Sequence, residues 1–149
     1  MRRMATLFSR IIEGEIPGRF VWRDDRAVVF LTIAPINPGH ALVVPIEEVD
    51  HWIDLDPDLA AHLIGVAREV GRAQMRAFRP RRVGMIIAGL EVPHCHLHLI
   101  PIESEADLSF ERADHDPDPA MLDDAAERLR AALRELGHEQ PVQAAVPAA

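Results

Sequence analysis

The chain contains no lysine, and all 16 basic residues among its 149 positions are arginine. That absence excludes Schiff-base chemistry on a lysine amine and any phosphate-binding loop of the GxxxxGK[ST] type. Cysteine is almost absent as well. Cys95 stands alone, which excludes an internal disulfide framework and every CxxC metal site and makes the reducing cytoplasm the expected compartment. Positive charge is in deficit: the net charge is −8 and the isoelectric point is near 5.4. A protein that coats nucleic acid carries the opposite balance, although a small nucleotide needs only a local site. Long apolar runs are missing too. None approaches the roughly 20 residues of a membrane span, so no membrane partner is expected. The basic start Met1-Arg2-Arg3-Met4-Ala5-Thr6 is followed by no apolar stretch, so no signal peptide is expected either.

What is present reads as a globular chain, with 48% hydrophobic and 27% charged residues. Thr6 can cap a short helix to Ile12, with Leu7, Phe8, Ile11 and Ile12 on one face. Phe20 to Arg23 and Ala27 to Ile33 are β-rich runs around Asp24-Asp25-Arg26, as in a hairpin. His40 to Pro45 follows a rigid Pro-Gly turn as a third strand. Asp56 and Pro57 open a long helix that runs to Phe78 and stops at Arg79-Pro80. Val83 to Ala88 and Cys95 to Pro101 read as further strands. Glu103 to Pro119 is an acidic loop, and Pro119 to Leu136 is an amphipathic helix with Gly137 in a position to close it. The expectation is one α+β domain over 1–139, with residues 140–149 as a flexible tail.

The densest chemistry is Pro93-His94-Cys95-His96-Leu97-His98-Leu99-Ile100-Pro101. Side chains alternate along a strand, so His94, His96 and His98 share one face while Cys95, Leu97 and Leu99 point to the core. Imidazoles titrate near neutrality and can serve as nucleophile, acid or base. Three on one face could also hold zinc as a tripod, with Glu91 and His40 to complete or support it.

This Pro-His-x-His-x-His-Leu-Ile-Pro segment resembles the signature of the histidine triad (HIT) family. The likeness extends to Thr6–Pro17, to Asp24-Asp25 with Val28-Val29-Phe30-Leu31, and to Asn37–Pro45 with its Pro-Gly-His. It covers about residues 4 to 101 in family order and is nearest to the Hint-type branch. The resemblance implies a HIT-like antiparallel sheet of about five strands with a long central helix, to which this chain adds its C-terminal helix. It implies a homodimer that binds a purine nucleotide and acts at the α-phosphate, with no metal or other cofactor. By position, His96 would be the nucleophile, forming a nucleotidyl-histidine intermediate that water or another acceptor resolves. His98 would assist the phosphate or leaving group, and His94 and His40 would orient neighbours and fix tautomers. Phe8, Ile11, Ile16, Phe30 and Ile33 match the apolar base pocket.

Four departures from the family pattern stand out. Thr6, Ser9 and Glu48 occupy positions where some members carry zinc ligands, so no structural zinc is expected. Thr32 replaces the ribose-binding aspartate and offers less acceptor capacity. The loop before the triad is short: Ile87 or Ala88 stands for an asparagine, and Leu90-Glu91 for a Gln-Ser/Thr pair. Glu91 could protonate an amine leaving group or contact a cationic substrate. The helix after Pro119 lies beyond the resemblance and must bury its apolar stripe on the sheet or on a partner subunit. Arg76, Arg79, Arg81 and Arg82 form a basic patch that could attract a nucleotide's outer phosphates, but it is read as balancing the long helix's C-terminus in solvent. His51, His62, His115 and His138 lack a partner pattern and are read as surface residues.

The sequence thus points to a nucleotidyl hydrolase or transferase working on phosphoramidates or dinucleoside polyphosphates. A nucleotide-binding module without turnover, and a metal site on the triad, are the alternatives.

Overall fold

The computed structural model describes residues 4–146. Helix α1 (Leu7–Ile12) is capped by Thr6, whose Oγ1 accepts the Ser9 N–H at 3.1 Å. Strands β1 (Phe20–Arg23) and β2 (Ala27–Leu31) form an antiparallel hairpin. Its turn is held by Asp24, whose Oδ1 accepts the N–H groups of Arg26 and Ala27 at 2.8 Å each. Strand β3 (Ala41–Pro45) pairs with β2, β5 (Leu97–Ile102) pairs with β3, and β4 (Arg82–Ile86) forms the far edge. The result is a five-stranded antiparallel sheet in the order β1-β2-β3-β5-β4, an α+β fold.

Strands β2 and β3 are buried along their whole length, which explains why Ala-Val-Val-Phe-Leu and Ala-Leu-Val-Val-Pro are unbroken apolar runs. Alternation sorts their side chains into two clusters. Ala27, Val29, Leu31, Ala41, Val43, Leu97 and Leu99 face the main core. Val28, Phe30, Leu42 and Val44 face a smaller cluster closed by Phe8 and Ile11 of α1. The triad lies on the second of these faces, against Phe8.

The main core is covered by α2 (Pro57–Phe78) and α3 (Pro119–Glu135). Helix α2 starts on an Asp56 cap with Pro57 in the first turn and ends where Arg79 enters the left-handed region at φ 50°. Helix α3 has the same start, an Asp118 cap followed by Pro119. Its stripe of Leu122, Ala125, Ala126, Leu129, Ala132 and Leu133 is buried within its own chain, against α2 and the sheet. Of the two coverings open to it, the helix takes the sheet and α2.

Residues after 139 differ from the expected flexible tail. Glu139–Ala145 form a further helix, α4, packed on β1 with Val142 fully buried and Ala145 nearly so. Small residues lack the bulk to announce a core helix, but they let α4 lie close against Val21 and Trp22. Residues 147–149 of that tail lie outside the described residues. Strand ends also differ: β2 stops at Leu31, β4 at Ile86, and β5 starts at Leu97, because pairing ends where the turns around the triad begin. Among the described residues no helix is long and apolar enough to cross a membrane.

Leu129 is fully buried between the helical layer and the sheet. Leu129→Ala is expected to lower the unfolding free energy by about 2–5 kcal/mol, the range for a buried leucine truncated in a core that cannot collapse. The urea unfolding midpoint, which checks that loss, should also fall on truncation after His138, because α4 with its buried Val142 then leaves β1 uncovered.

Candidate active site

His94 and His96 precede β5, yet the triad keeps the side-to-side alternation of a strand. Cys95 lies in the main core, where burial pushes its thiol up to about 11, so it stays protonated. The three imidazoles lie on the opposite face. The Phe8 ring meets His94 at 5.9 Å and His96 at 4.8 Å, and His96 meets His98 at 4.9 Å between ring centroids.

Hydrogen-bond partners that can act in only one sense set the protonation of each ring. The Pro45 carbonyl can only accept, so His94 Nε2–H donates to it at 2.7 Å. His94 Nδ1 then accepts from the Thr6 hydroxyl at 2.7 Å. The His94 carbonyl accepts from His96 Nδ1–H at 2.7 Å, which leaves the lone pair of His96 on Nε2. On the neighbouring strand, the Ile36 N–H donates to His40 Nδ1 at 3.1 Å. His40 Nε2–H therefore donates to His98 Nδ1 at 2.9 Å, and His98 carries its proton on Nε2. Side by side, then, stand an imidazole with a free Nε2 lone pair and an imidazole with an Nε2–H.

Burial favours these neutral forms. It is the leading cause holding His40 down to about 3 and His98 down to about 4, with the neighbouring His98 and His96 respectively adding to the effect. Burial also lowers His94 and His96 from the ordinary 6.5, and in His96 the bond to the His94 carbonyl and the nearby Glu91 oppose it.

Two cavities meet at the triad. The larger, about 520 Å³, is lined by Phe8, Ile11, Ile16, Phe30, Thr32 and Ile33 together with His96, His98 and Glu91. All six residues expected around a nucleotide therefore share one cavity, with Ile33 at its rim, 75% exposed. The smaller, about 260 Å³, contains His40, His96, His98, Glu91 and Thr32. His94 is fully buried behind the site and lines neither cavity. The Thr32 hydroxyl accepts the Ala34 N–H at 3.1 Å, which leaves its proton free to donate.

Several residues at the site carry no signal in spacing or pattern. Phe110 and His115, from the acidic loop, line the smaller cavity, and the Phe110 ring stacks edge-on against His98 at 4.8 Å. Phe110 is the sole aromatic of that loop, the one hint available in the sequence. Arg19 and Asp123 line the larger cavity and pair at 2.7 Å. Two other histidines read as surface residues have partners: His62 binds Asp24 and His138 binds Glu69, each at 2.8 Å. Those carboxylates lie 38 and 69 positions away in the chain, beyond the reach of a local pattern.

The positions of the absent zinc ligands converge, but as a hydrogen-bonded cluster. The Thr6 N–H donates to Glu48 Oε1 at 2.6 Å while its hydroxyl serves His94. That backbone bond, followed by one from the Ser9 side chain, holds the Glu48 carboxyl below the usual range. Two hydroxyls replace the thiolates that structural zinc favours. Among the described residues no group of three or more His, Cys, Asp or Glu is placed to hold a metal ion. Both ring nitrogens of His94 are committed, so the triad does not offer the three lone pairs of a zinc tripod.

With this geometry in place, comparison with known proteins is decisive for the family. The HIT domain matches residues 13–105, and the chain belongs to the HIT domain family. A HIT-like protein of Saccharolobus solfataricus is 32% identical over 104 residues, 66% of this chain and 75% of that one. An adenosine 5′-monophosphoramidase of Schizosaccharomyces pombe is 30% identical over 107 residues, 68% of this chain and 77% of that one. The crystal structure of a zinc-bound histidine triad family protein from Mycobacterium smegmatis superposes with a TM-score of 0.78 at 28% identity. It covers 90% of this chain and 96% of that one.

The four lowered imidazoles make stability depend on pH with a definite sign. Each binds its proton less readily when folded than when unfolded, so stability is fully present above 6.5 and is lost as pH falls toward about 4 and 3. The urea midpoint should be level above about pH 7 and decline through this window. A midpoint that rises below pH 6.5 would contradict the neutral, buried assignment.

Proposed function

We propose that the chain is a metal-independent nucleotidyl hydrolase that cleaves at the α-phosphate of a purine nucleotide conjugate. The observation that carries this reading is the pairing of His96, with its free Nε2 lone pair, beside His98, with its Nε2–H, where the two cavities meet. The nucleoside occupies the larger, apolar cavity, as small-molecule sites require. His96 Nε2 attacks phosphorus, forming an N–P bond as the bond to the leaving group breaks. The leaving atom takes the Nε2 proton of His98, and the positive charge that N–P bond formation places on the His96 ring offsets the charge left on His98. Water then displaces His96 from phosphorus, giving one proton to His98 Nε2 to restore the donor and releasing the nucleoside monophosphate with His96 neutral again. His96 Nδ1–H, held by the His94 carbonyl, keeps the ring oriented while it carries the nucleotidyl group, which divides one displacement into two. The likeness to the yeast monophosphoramidase supports this chemistry.

The smaller cavity bears on the leaving group. It is lined by Glu91 and by residues of the acidic loop, and among the described residues no arginine lines it. A second nucleotide on a polyphosphate bridge would bring several negative charges there with no arginine of the described residues lining the cavity to meet them. An amine leaving group meets a carboxylate instead. Phosphoramidates are therefore favoured over dinucleoside polyphosphates.

The decisive assay is release of AMP from adenosine 5′-phosphoramidate in excess EDTA. Wild type should turn over and His96→Ala should not, while His98→Ala should fall by roughly 10² to 10⁴-fold as a general acid is lost. Diadenosine polyphosphate should be the poorer substrate, and Glu91→Gln should narrow the gap. Tight AMP binding with no release from any conjugate would instead identify a nucleotide-binding module, the reading that Thr32 and the apolar Leu90 beside Glu91 would then explain.

We place the active form as a homodimer, because β4 ends the sheet with an open edge and Met85 on that strand is exposed. Light scattering should give twice the 16.6 kDa of one chain, and a single-chain mass in dilute solution would refute it. The lone buried thiol suits the cytoplasm.

A further inference from the structure

Gln74 lies in the middle of the sheet-facing stripe of α2 and is fully buried. Its companions on that stripe are Leu63, Val66, Ala67, Val70 and Ala73. Its amide nitrogen donates two hydrogen bonds, to the Gly39 carbonyl at 2.9 Å and to the Leu99 carbonyl at 3.0 Å. Carbonyls only accept, so the amide has one permitted orientation. Its oxygen then lies buried with no partner among the described residues. An unpaired buried amide oxygen is destabilising, and an apolar side chain of the same size would avoid it. Packing therefore does not account for a glutamine here, whereas the two donated bonds do.

Their targets are specific. Gly39 immediately precedes His40, and Leu99 immediately follows His98. One amide thus ties together the two backbones whose imidazoles share the His40 Nε2 to His98 Nδ1 bond, from the side of the sheet opposite the triad. Phe78, one turn along α2, reinforces the corner. Gly39 has a φ of +88°, and its missing side chain leaves the space that the Phe78 ring fills.

We propose that Gln74 is the positioning residue of the His40–His98 pair, setting the separation at which His40 keeps the His98 proton on Nε2. This inference rests on the reading of His98 as proton donor, and its test separates the two. Gln74→Met keeps the volume and removes both donors. Its expected outcome is a folded protein with kcat on adenosine 5′-phosphoramidate lowered roughly ten- to hundredfold, the scale of a misplaced catalytic group, and with KM little changed. In a His40→Ala background the same substitution should cause no further loss, because the two act through one bond. Histidine ring-nitrogen NMR should show a single His98 tautomer in wild type and a mixture in Gln74→Met. If Gln74→Met fails to fold, Gln74→Asn carries the test. It keeps the amide but is too short to reach both carbonyls, so an intermediate kcat is expected. An equal proportional loss in both backgrounds, or an unchanged kcat with one His98 tautomer, overturns the inference and leaves the hydrolase reading standing. If wild type releases no AMP, the hydrolase reading falls. The ring-nitrogen comparison then decides the positioning role alone, a mixture in Gln74→Met supporting it and an unchanged tautomer overturning it.

Discussion

The bond from His96 Nδ1–H to the backbone carbonyl of His94 is the constraint on which the site turns. A carbonyl cannot donate, so the bond admits one tautomer and leaves one nitrogen of His96 free. The carbonyl is where it is because the His94 ring is itself held at both nitrogens, by Pro45 at the end of β3 and by Thr6 at the start of α1. Thr6 is in turn held by Glu48. The order of the site therefore runs outward through backbone groups, which cannot change rotamer or charge, to two elements distant in sequence.

Burial does a second task. Enclosing four imidazoles disfavours their charged forms, and an imidazolium at His96 would have no lone pair to offer. The same Phe8 that closes the small apolar cluster packs edge-on against His94 and His96. Excluding water, holding the rings and keeping them neutral are thus one arrangement. The sheet makes this possible by having two dissimilar faces. Odd-numbered residues of the central strands anchor it to α2 and α3, and even-numbered residues open onto the site.

The C-terminal third builds parts of both layers. Helices α3 and α4 complete the main core, while the acidic loop between β5 and α3 sends Phe110 against His98. A segment that lies beyond the family likeness in the sequence therefore shapes the smaller of the two cavities.

Much of this was legible in the residues alone, for a physical reason: it depends on short-range periodicity. Alternation in Cys95-His96-Leu97-His98 sorts histidines from core residues, the three- and four-residue spacing from Leu59 to Phe78 defines α2, and Asp-Pro marks the starts of α2 and α3. Such patterns repeat within a few positions, so the chain carries them locally. The triad and the α+β class were of this kind, whereas the apolar pocket residues were named only through the resemblance to the family. What the sequence could not reveal lay in contacts of long separation: Thr6 with His94, His40 with His98, Gln74 with Gly39 and Leu99, and α4 on β1. Residue types and their faces are determined by local sequence. The tautomers, the meeting of the two cavities and the covering of β1 were decided only by the tertiary structure, because each depends on a partner that the chain's path alone brings within reach.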